Sequence, residues 1–266
     1  LKYFAQSGNW YLGTRLMGQK SIYTNSNAAQ NTDTWAQWDS NVGDAISWGS
    51  NEQAWQWKRH AGFDVVTYTG NSTDSHQIPH SLSKAPEMMW IKCRSTTKNW
   101  SVYHKGLNGG SSPEDYVLFL NNTDAELDDQ NYWNDTAPTA TNFTLGNSSK
   151  TNSSGETFIA LLFASVDGIS KVGSYTGSSG TSISTGFQPR LIIIKRTDSA
   201  GDWFVFDSVR GINSSTGGND ARLYLNDNDD EFSNSDYVSV SSTGFTVNDY
   251  DVASGSSANF IYYAHA

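Results

Sequence analysis

Apolar and polar positions alternate over short stretches along most of the chain. Phe63 to Thr69 reads FDVVTYT and stops at Gly70-Asn71, a turn signal. Trp100, Val102 and His104 fall on one face of the next clear alternation. Glu87 to Lys92 is a short apolar run preceded by Pro86, a residue that suits the start of a strand. Tyr116 to Leu120, Phe143 to Leu145 and Phe158 to Ala164 add three more strands. Nowhere does a helical period persist for roughly 10–12 residues, so helix should be scarce. About six to eight short strands per hundred residues, with Gly, Asn and Ser between them, predict an all-β chain of the β-sandwich or jelly-roll kind.

The pattern also returns. GFDVVTYTG at Gly62 to Gly70 reappears as GISKVGSYTG at Gly168 to Gly177. Pro86 to Lys92 and Asn99-Trp100 are followed later by Pro189 to Lys195 and Asp202-Trp203. Leu118-Phe-Leu-Asn121 matches Leu223-Tyr-Leu-Asn226, and Phe158-Ile159 matches Phe260-Ile261. The spacing, about 100–107 residues, suits a whole small domain rather than a solenoid unit. A tandem duplication is expected, with β-sandwich repeats at 61–165 and 166–266. Residues 1–60 read as a partial, diverged first repeat. Asn9-Trp10 parallels Asn99-Trp100, Ile22 to Gln30 parallels Leu118 to Glu126, and Trp57 to Phe63 takes the place of Phe163 to Ile169. The beginning of that copy is absent or degenerate, and Trp35 to Trp55 matches poorly. No Pro- or Ser-rich linker separates the repeats, so a rod or cluster with fixed neighbours is expected.

Composition narrows the partners. Aromatics make up 13% of the 266 residues and charged groups only 17%, a profile of turn-rich β domains. The net charge of −10, with no Lys/Arg cluster, argues against nucleic acid and anionic membrane surfaces. No apolar run reaches the roughly 18–20 residues of a membrane span. The single cysteine, Cys93, cannot form an internal disulfide, which points to folding in a reducing compartment.

Candidate chemistry is sparse. Trp10, Trp100 and Trp203 occupy matching places and are expected to plug each sandwich core. Tyr132 and Trp133 lie in the polar stretch Asp128 to Asp135 and are the candidates for an exposed glycan or partner contact, set against strand-end rings folded over the core. Asp227 to Glu231, and Asp124, Glu126, Asp128 and Asp129, offer hard oxygen ligands without the spacing of a calcium loop; solvated turns are expected, with Ca2+ the only cofactor they suggest. His60, His76, His80, His104 and His265 are scattered without zinc spacing. Asp207 replaces His104 in the later copy, which excludes a catalytic role common to the repeats. Gly106 to Gly110 does not open a helix after a strand and reads as a flexible loop. No catalytic residue is assigned, and a non-enzymatic protein is expected. A glycan hydrolase is the weakest alternative.

Trp57 to Gly70, Ile78 to Leu82, Pro86 to Lys92, Tyr103 to Gly110, Trp133 to Pro138 and Leu162 to Gly177 together resemble one family. It is the uncharacterised repeat domain of virion structural proteins from marine and freshwater tailed phages, cyanophages included. The resemblance covers residues 55–266 closely and 1–54 loosely. It implies a virion structural protein such as a tail fibre, spike or capsid-surface decoration, made in the host cytoplasm and displayed on the particle. The partners it implies are other virion proteins, further copies in a homo-oligomer, and a host-surface glycan. A stand-alone carbohydrate-binding module or extracellular adhesin is the alternative.

Overall fold

Strands form where the alternation runs, and central runs such as Met88–Cys93 and Thr157–Phe163 are buried on both faces. A computed structural model describes residues 2–32, 49–212, 217–252 and 257–266, and the backbone alone at 38–39, 43–44 and 253. The first unit carries β1 (Lys2–Tyr3), β2 (Tyr11–Leu12), β3 (Lys20–Tyr23), β4 (Asn31–Thr32), β5 (Trp38–Asp39), β6 (Gly43–Asp44) and β7 (Glu52–Gln53). The second carries β8 (Phe63–Thr69), β9 (His76–Pro79), β10 (Met88–Cys93), β11 (Ser101–His104), β12 (Tyr116–Phe119), β13 (Leu127–Asp128), β14 (Asn142–Leu145) and β15 (Thr157–Phe163). The third carries β16 (Ser170–Thr176), β17 (Thr181–Ser184), β18 (Leu191–Arg196), β19 (Trp203–Asp207), β20 (Leu223–Tyr224), β21 (Val238–Ser241), β22 (Gly244–Val247) and β23 (Asn259–His265). Apart from 3-10 turns, helix is limited among the described residues to the single turns α1 (Ser149–Asn152) and α2 (Tyr250–Ala253). The chain is all-β.

The large sheet of the second unit runs β13-β12-β11-β10-β15-β8, and that of the third runs β20-β19-β18-β23-β16. Strand order coincides, and so does register. Met88 faces Phe163, which faces Phe63; Leu191 faces His265, which faces Ser170. A small sheet packs on each: β14-β9 in the second unit and β17-β22-β21 in the third. Side chains alternate across a strand. Met89, Ile91, Phe158 and Leu162 therefore point toward the small sheet with Phe143 and Leu145, while Ile192, Ile194, Phe260 and Tyr262 do the same beneath Phe245 and Val247. Each of these two units is a two-sheet sandwich.

The opposite faces meet in a third core. It joins Trp10, Met17 and Ile22 of the first unit to Trp90, Trp100 and Leu161 of the second and Ile193, Trp203 and Tyr263 of the third. The expected picture, in which each tryptophan plugs its own sandwich, is corrected here. The three rings do occupy equivalent places, but in a core common to all units. The reason lies in runs such as Leu191-Ile-Ile-Ile194, which have two apolar faces. A small sheet covers only one of them, so the other must find a neighbour.

The seams are closed by a repeated set of hydrogen bonds that runs around a ring. Trp100 Nε1 donates to the Tyr23 carbonyl of the first unit at 2.8 Å, Trp203 Nε1 to Phe119 of the second at 3.0 Å, and Trp10 Nε1 to Tyr224 of the third at 2.7 Å. Eight positions before each tryptophan stands a lysine with no exposed surface: Lys2, Lys92 and Lys195. Lys92 Nζ donates to the Asn27 carbonyl at 3.1 Å, Lys195 Nζ to Thr123 at 3.2 Å and Lys2 Nζ to Asn228 at 2.9 Å. Between the two acceptors of each loop an asparagine holds the backbone N–H of its own unit's tryptophan: Asn25 for Trp10, Asn121 for Trp100 and Asn226 for Trp203. A backbone pair completes each seam: Gln30 N to Arg94 O, Glu126 N to Thr197 O, and Glu231 N to Phe4 O. The second unit thus docks on the first, the third on the second, and the first on the third.

Three measurements test this arrangement. Urea unfolding of the whole chain should be a single transition, and residues 61–165 alone should lack protease resistance, because they lose both seams. Trp203→Phe should cost about 1–3 kcal/mol by leaving the enclosed Phe119 carbonyl without a donor. Burial pushes the ammonium groups of Lys2, Lys92 and Lys195 down to about 8. Between that pH and their unfolded value near 10.5 the unfolded chain binds more protons, so urea stability should rise from pH 8 toward pH 10. The three lysines replaced by Met should abolish the rise.

Candidate binding cleft between the first and third units

The three seams differ at their outer ends, where the β2, β11 and β19 strands run out. At the second-to-third seam, His104 is fully enclosed. Its Nδ1 accepts the Gly106 N–H at 3.0 Å, so Nε2 carries the proton toward the Tyr262 carbonyl at 3.2 Å. Burial pushes its imidazole down to about 3, which keeps it neutral. Gly106 then passes against β16 so closely that a Cβ there would lie 2.7 Å from Ser174 Cβ. At the first-to-second seam, Arg15–Met17 packs against β8 in the same manner.

At the third-to-first seam Asp207 stands where His104 stands. Its Oδ1 accepts the N–H groups of Val209 and Arg210 at 3.0 and 3.1 Å, and its Oδ2 takes Arg210 Nε at 2.6 Å. Arg210 also reaches the Val205 carbonyl at 3.1 Å and Glu231 at 3.3 Å. Both members of the Asp207–Arg210 pair are only 3% exposed. The guanidinium lies 5.8 Å from the ring of Trp55, which itself stacks on Trp10 at 5.2 Å.

A cleft of about 210 Å³ opens beside this pair, lined by Gln53, Trp55, Gln56 and Trp57 from the first unit and by Arg190, Leu191, Asp207, Ser208, Val209, His265 and Ala266 from the third. Trp57 Nε1 donates to Tyr263 Oη at 3.1 Å, fixing one wall. Trp55 Nε1 is enclosed with no hydrogen-bond partner. The cleft is smaller than the roughly 300–1,000 Å³ of sites for drug-sized ligands. It brings indole faces and polar side chains to one mouth.

The sequence candidates fall elsewhere. Tyr132 and Trp133 are each 1% exposed, in the lateral core of the second unit, so the exposed contact expected of them is corrected. Trp133 Nε1 donates inward to the Tyr116 carbonyl at 2.8 Å. Asp227 Oδ1 takes the N–H groups of Asn228 and Asp229, Asp124 pairs with Asn122, Asp129 with Asn131, and Glu126 receives Asn108 N and Thr197 Oγ1. Asp128 sits in β13 opposite Tyr116. Among the described residues these carboxylates form no group of three that could hold a metal ion. His76 bonds Asn152, His80 bonds the Thr139 carbonyl, His265 bonds Ala266, and His60 has a left-handed backbone at φ 72°. The Gly106–Gly110 loop is ordered by the Asn108–Glu126 bond. Sequence reasoning missed Trp55, Trp57, Val209 and Arg210. Trp57 carried a signal, since it aligns with Phe163; Arg210 carried none.

A family model described as Domain of unknown function (DUF7483) matches residues 11–266. The chain belongs to that family. No curated protein and no solved structure matches it. The DUF7483 match runs through parts of all three units and takes in the residues that line the cleft. Its description carries no activity.

The ion pair at the cleft gives a comparison. Arg210→Met should destabilise the chain by about 3 kcal/mol by stranding Asp207. Arg196→Met, which breaks a partly exposed pair with Asp198, should cost about 0–1 kcal/mol in the same urea titration.

Proposed function

We propose that this chain is a non-catalytic structural and adhesive component of a phage virion, a tail fibre, spike or surface decoration that takes part in attachment to the host. One observation carries the reading. The enclosed polar groups that could otherwise do chemistry, Lys2, Lys92, Lys195 and His104, are all engaged in hydrogen bonds that fasten unit to unit. Such a body suits a load-bearing role and presents its polar loops as a fixed surface. The resemblance to phage virion repeats supports the same reading, as does folding with one buried, unpaired cysteine. In this reading the chain is made in the host cytoplasm, assembles with other virion proteins and with its own copies, and meets a host-surface glycan.

The aromatic contacts such a surface needs come from the third unit. Phe232 and Tyr250 are 53% and 73% exposed. Arg222 braces Phe232 from 5.2 Å and pairs with Asp251, the neighbour of Tyr250, at 3.4 Å. That guanidinium also sits within 4.9–5.8 Å of the rings of Phe204, Tyr224 and Tyr237, so this aromatic cage already holds a cation of the chain itself.

Purified chain should adsorb to host cells and compete with intact particles, and the protein should be found by mass spectrometry in washed virions. Phe232→Ala with Tyr250→Ala should weaken adsorption about tenfold or more, a loss of at least ~1.4 kcal/mol, with the unfolding midpoint unchanged. Washed particles free of the chain, together with no adsorption to any host, would rule the reading out.

A further inference from the structure

The third unit carries two exposed aromatic rings that its fold does not call for. Phe232 is 53% exposed, and Tyr250, which opens α2, is 73% exposed. The second unit has the same two places without a ring. Arg222 bridges to Phe232 as Val117 pairs with Leu127, which puts Leu127 in the place of Phe232. The hydroxyls of Tyr68 and Tyr175 donate to the Thr151 and Val252 carbonyls, which puts Ser149 in the place of Tyr250. Leu127 and Ser149 are exposed as well. The same backbone thus accepts an aliphatic residue at one position and a small polar one at the other. Packing does not account for the rings.

The groups around the rings are polar and balanced in charge. Arg222 ties the two turns together: its guanidinium lies 5.2 Å from the Phe232 ring and 3.4 Å from Asp251, the residue after Tyr250. The α2 turn also packs on β18, whose last residue, Arg196, holds Asp198 at 2.8 and 3.3 Å. Both guanidinium groups are therefore paired, and the chain leading to Phe232 adds Asp229 and Asp230. An anionic ligand meets no surplus positive charge here. A cationic one has to compete with Arg222, which already lies 4.9–5.8 Å from the rings of Phe204, Tyr224 and Tyr237. The two exposed rings offer roughly 200–300 Å² between them. That is well short of the roughly 800 Å² that a stable protein partner covers.

We infer that Phe232 and Tyr250 form a binding site for a neutral glycan, whose pyranose rings lie on the aromatic faces. The C–H groups on one face of a pyranose are apolar, and the oxygens bonded to their carbons leave them slightly positive. They fit the negative face of an aromatic ring. The rim of the same sugar consists of hydroxyl groups, which donate to a carboxylate and accept from a guanidinium. Asp251, 53% exposed beside Tyr250, and Arg196 on the strand beneath α2 supply one of each. Each is held by its own partner, so the polar groups are in place before the sugar arrives. The inference rests on the adhesive reading and adds to it the class of glycan.

The test applies the full chain to an array of neutral, acidic and amino-sugar glycans. Neutral glycans should be retained equally in about 50 and about 500 mM NaCl, because no ion pair is made with them. Phe232→Leu with Tyr250→Ser, which installs the second unit's residues, should cut that retention about tenfold or more and leave the urea midpoint unchanged. Tyr250→Ser alone, at the more exposed ring, should cut it about threefold. Retention of acidic or amino-sugar glycans only, retention that survives the double substitution, or no retention of any glycan would each overturn the inference. Adsorption to host cells separates it from the virion reading. Adsorption undiminished by the double substitution removes this site and leaves the virion role standing. Neutral-glycan binding at these rings, by a chain missing from washed particles, keeps the site and removes the virion role.

Discussion

Each unit gives away donors it cannot use at home. An indole N–H and a buried ammonium group leave one unit and end on carbonyls of the neighbour, three times over. In a low-dielectric core an unpaired ammonium costs several kcal/mol, so a slip that pulls these donors off their carbonyls while the faces stay packed is opposed by polar terms. Shape alone would let oily faces slide. The bonds on Tyr23, Phe119 and Tyr224 fix the relative position of the units to within hydrogen-bond tolerance.

The centre of the ring is uniform and its rim is not. Trp, Lys and Asn recur at all three seams, whereas the outer ends carry Thr14, His104 and Asp207 in turn. The uniform part bears the fold, because replacing a tryptophan or lysine strands a backbone carbonyl and replacing an asparagine strands a backbone N–H. The rim tolerates an imidazole bonded across one seam to the Tyr262 carbonyl and a carboxylate–guanidinium pair within the third unit at another. Variation at the rim is what leaves room for a cleft at one of the places described.

The strands were legible because their period is short and their turns are marked. Both long apolar runs, Glu87 to Lys92 and Leu191 to Lys195, were visible, and so were the matching tryptophans. The destination of the donors was not. Their acceptors are backbone carbonyls, which any residue supplies, so no side chain in Tyr23, Phe119 or Tyr224 announces the bond. Tyr132 and Trp133 were misplaced for a related reason. Their neighbours Asp129, Asn131 and Asn134 are polar because they make a tight turn, and the turn aims the two rings inward. The cleft was hidden because one wall comes from a stretch up to Trp55 that aligns poorly with the other copies.

The bond from Lys2 to the Asn228 carbonyl joins positions 226 residues apart. A ribosome adding about 5–20 residues per second needs on the order of ten to forty-five seconds between delivering one partner and the other. Throughout that interval Trp10 and Ile22 have no third unit to lie against. The nascent chain must carry an open apolar face until residues 166–266 emerge. Synthesis, more than equilibrium stability, is then the stage at which this protein is most exposed to aggregation or to capture by a chaperone.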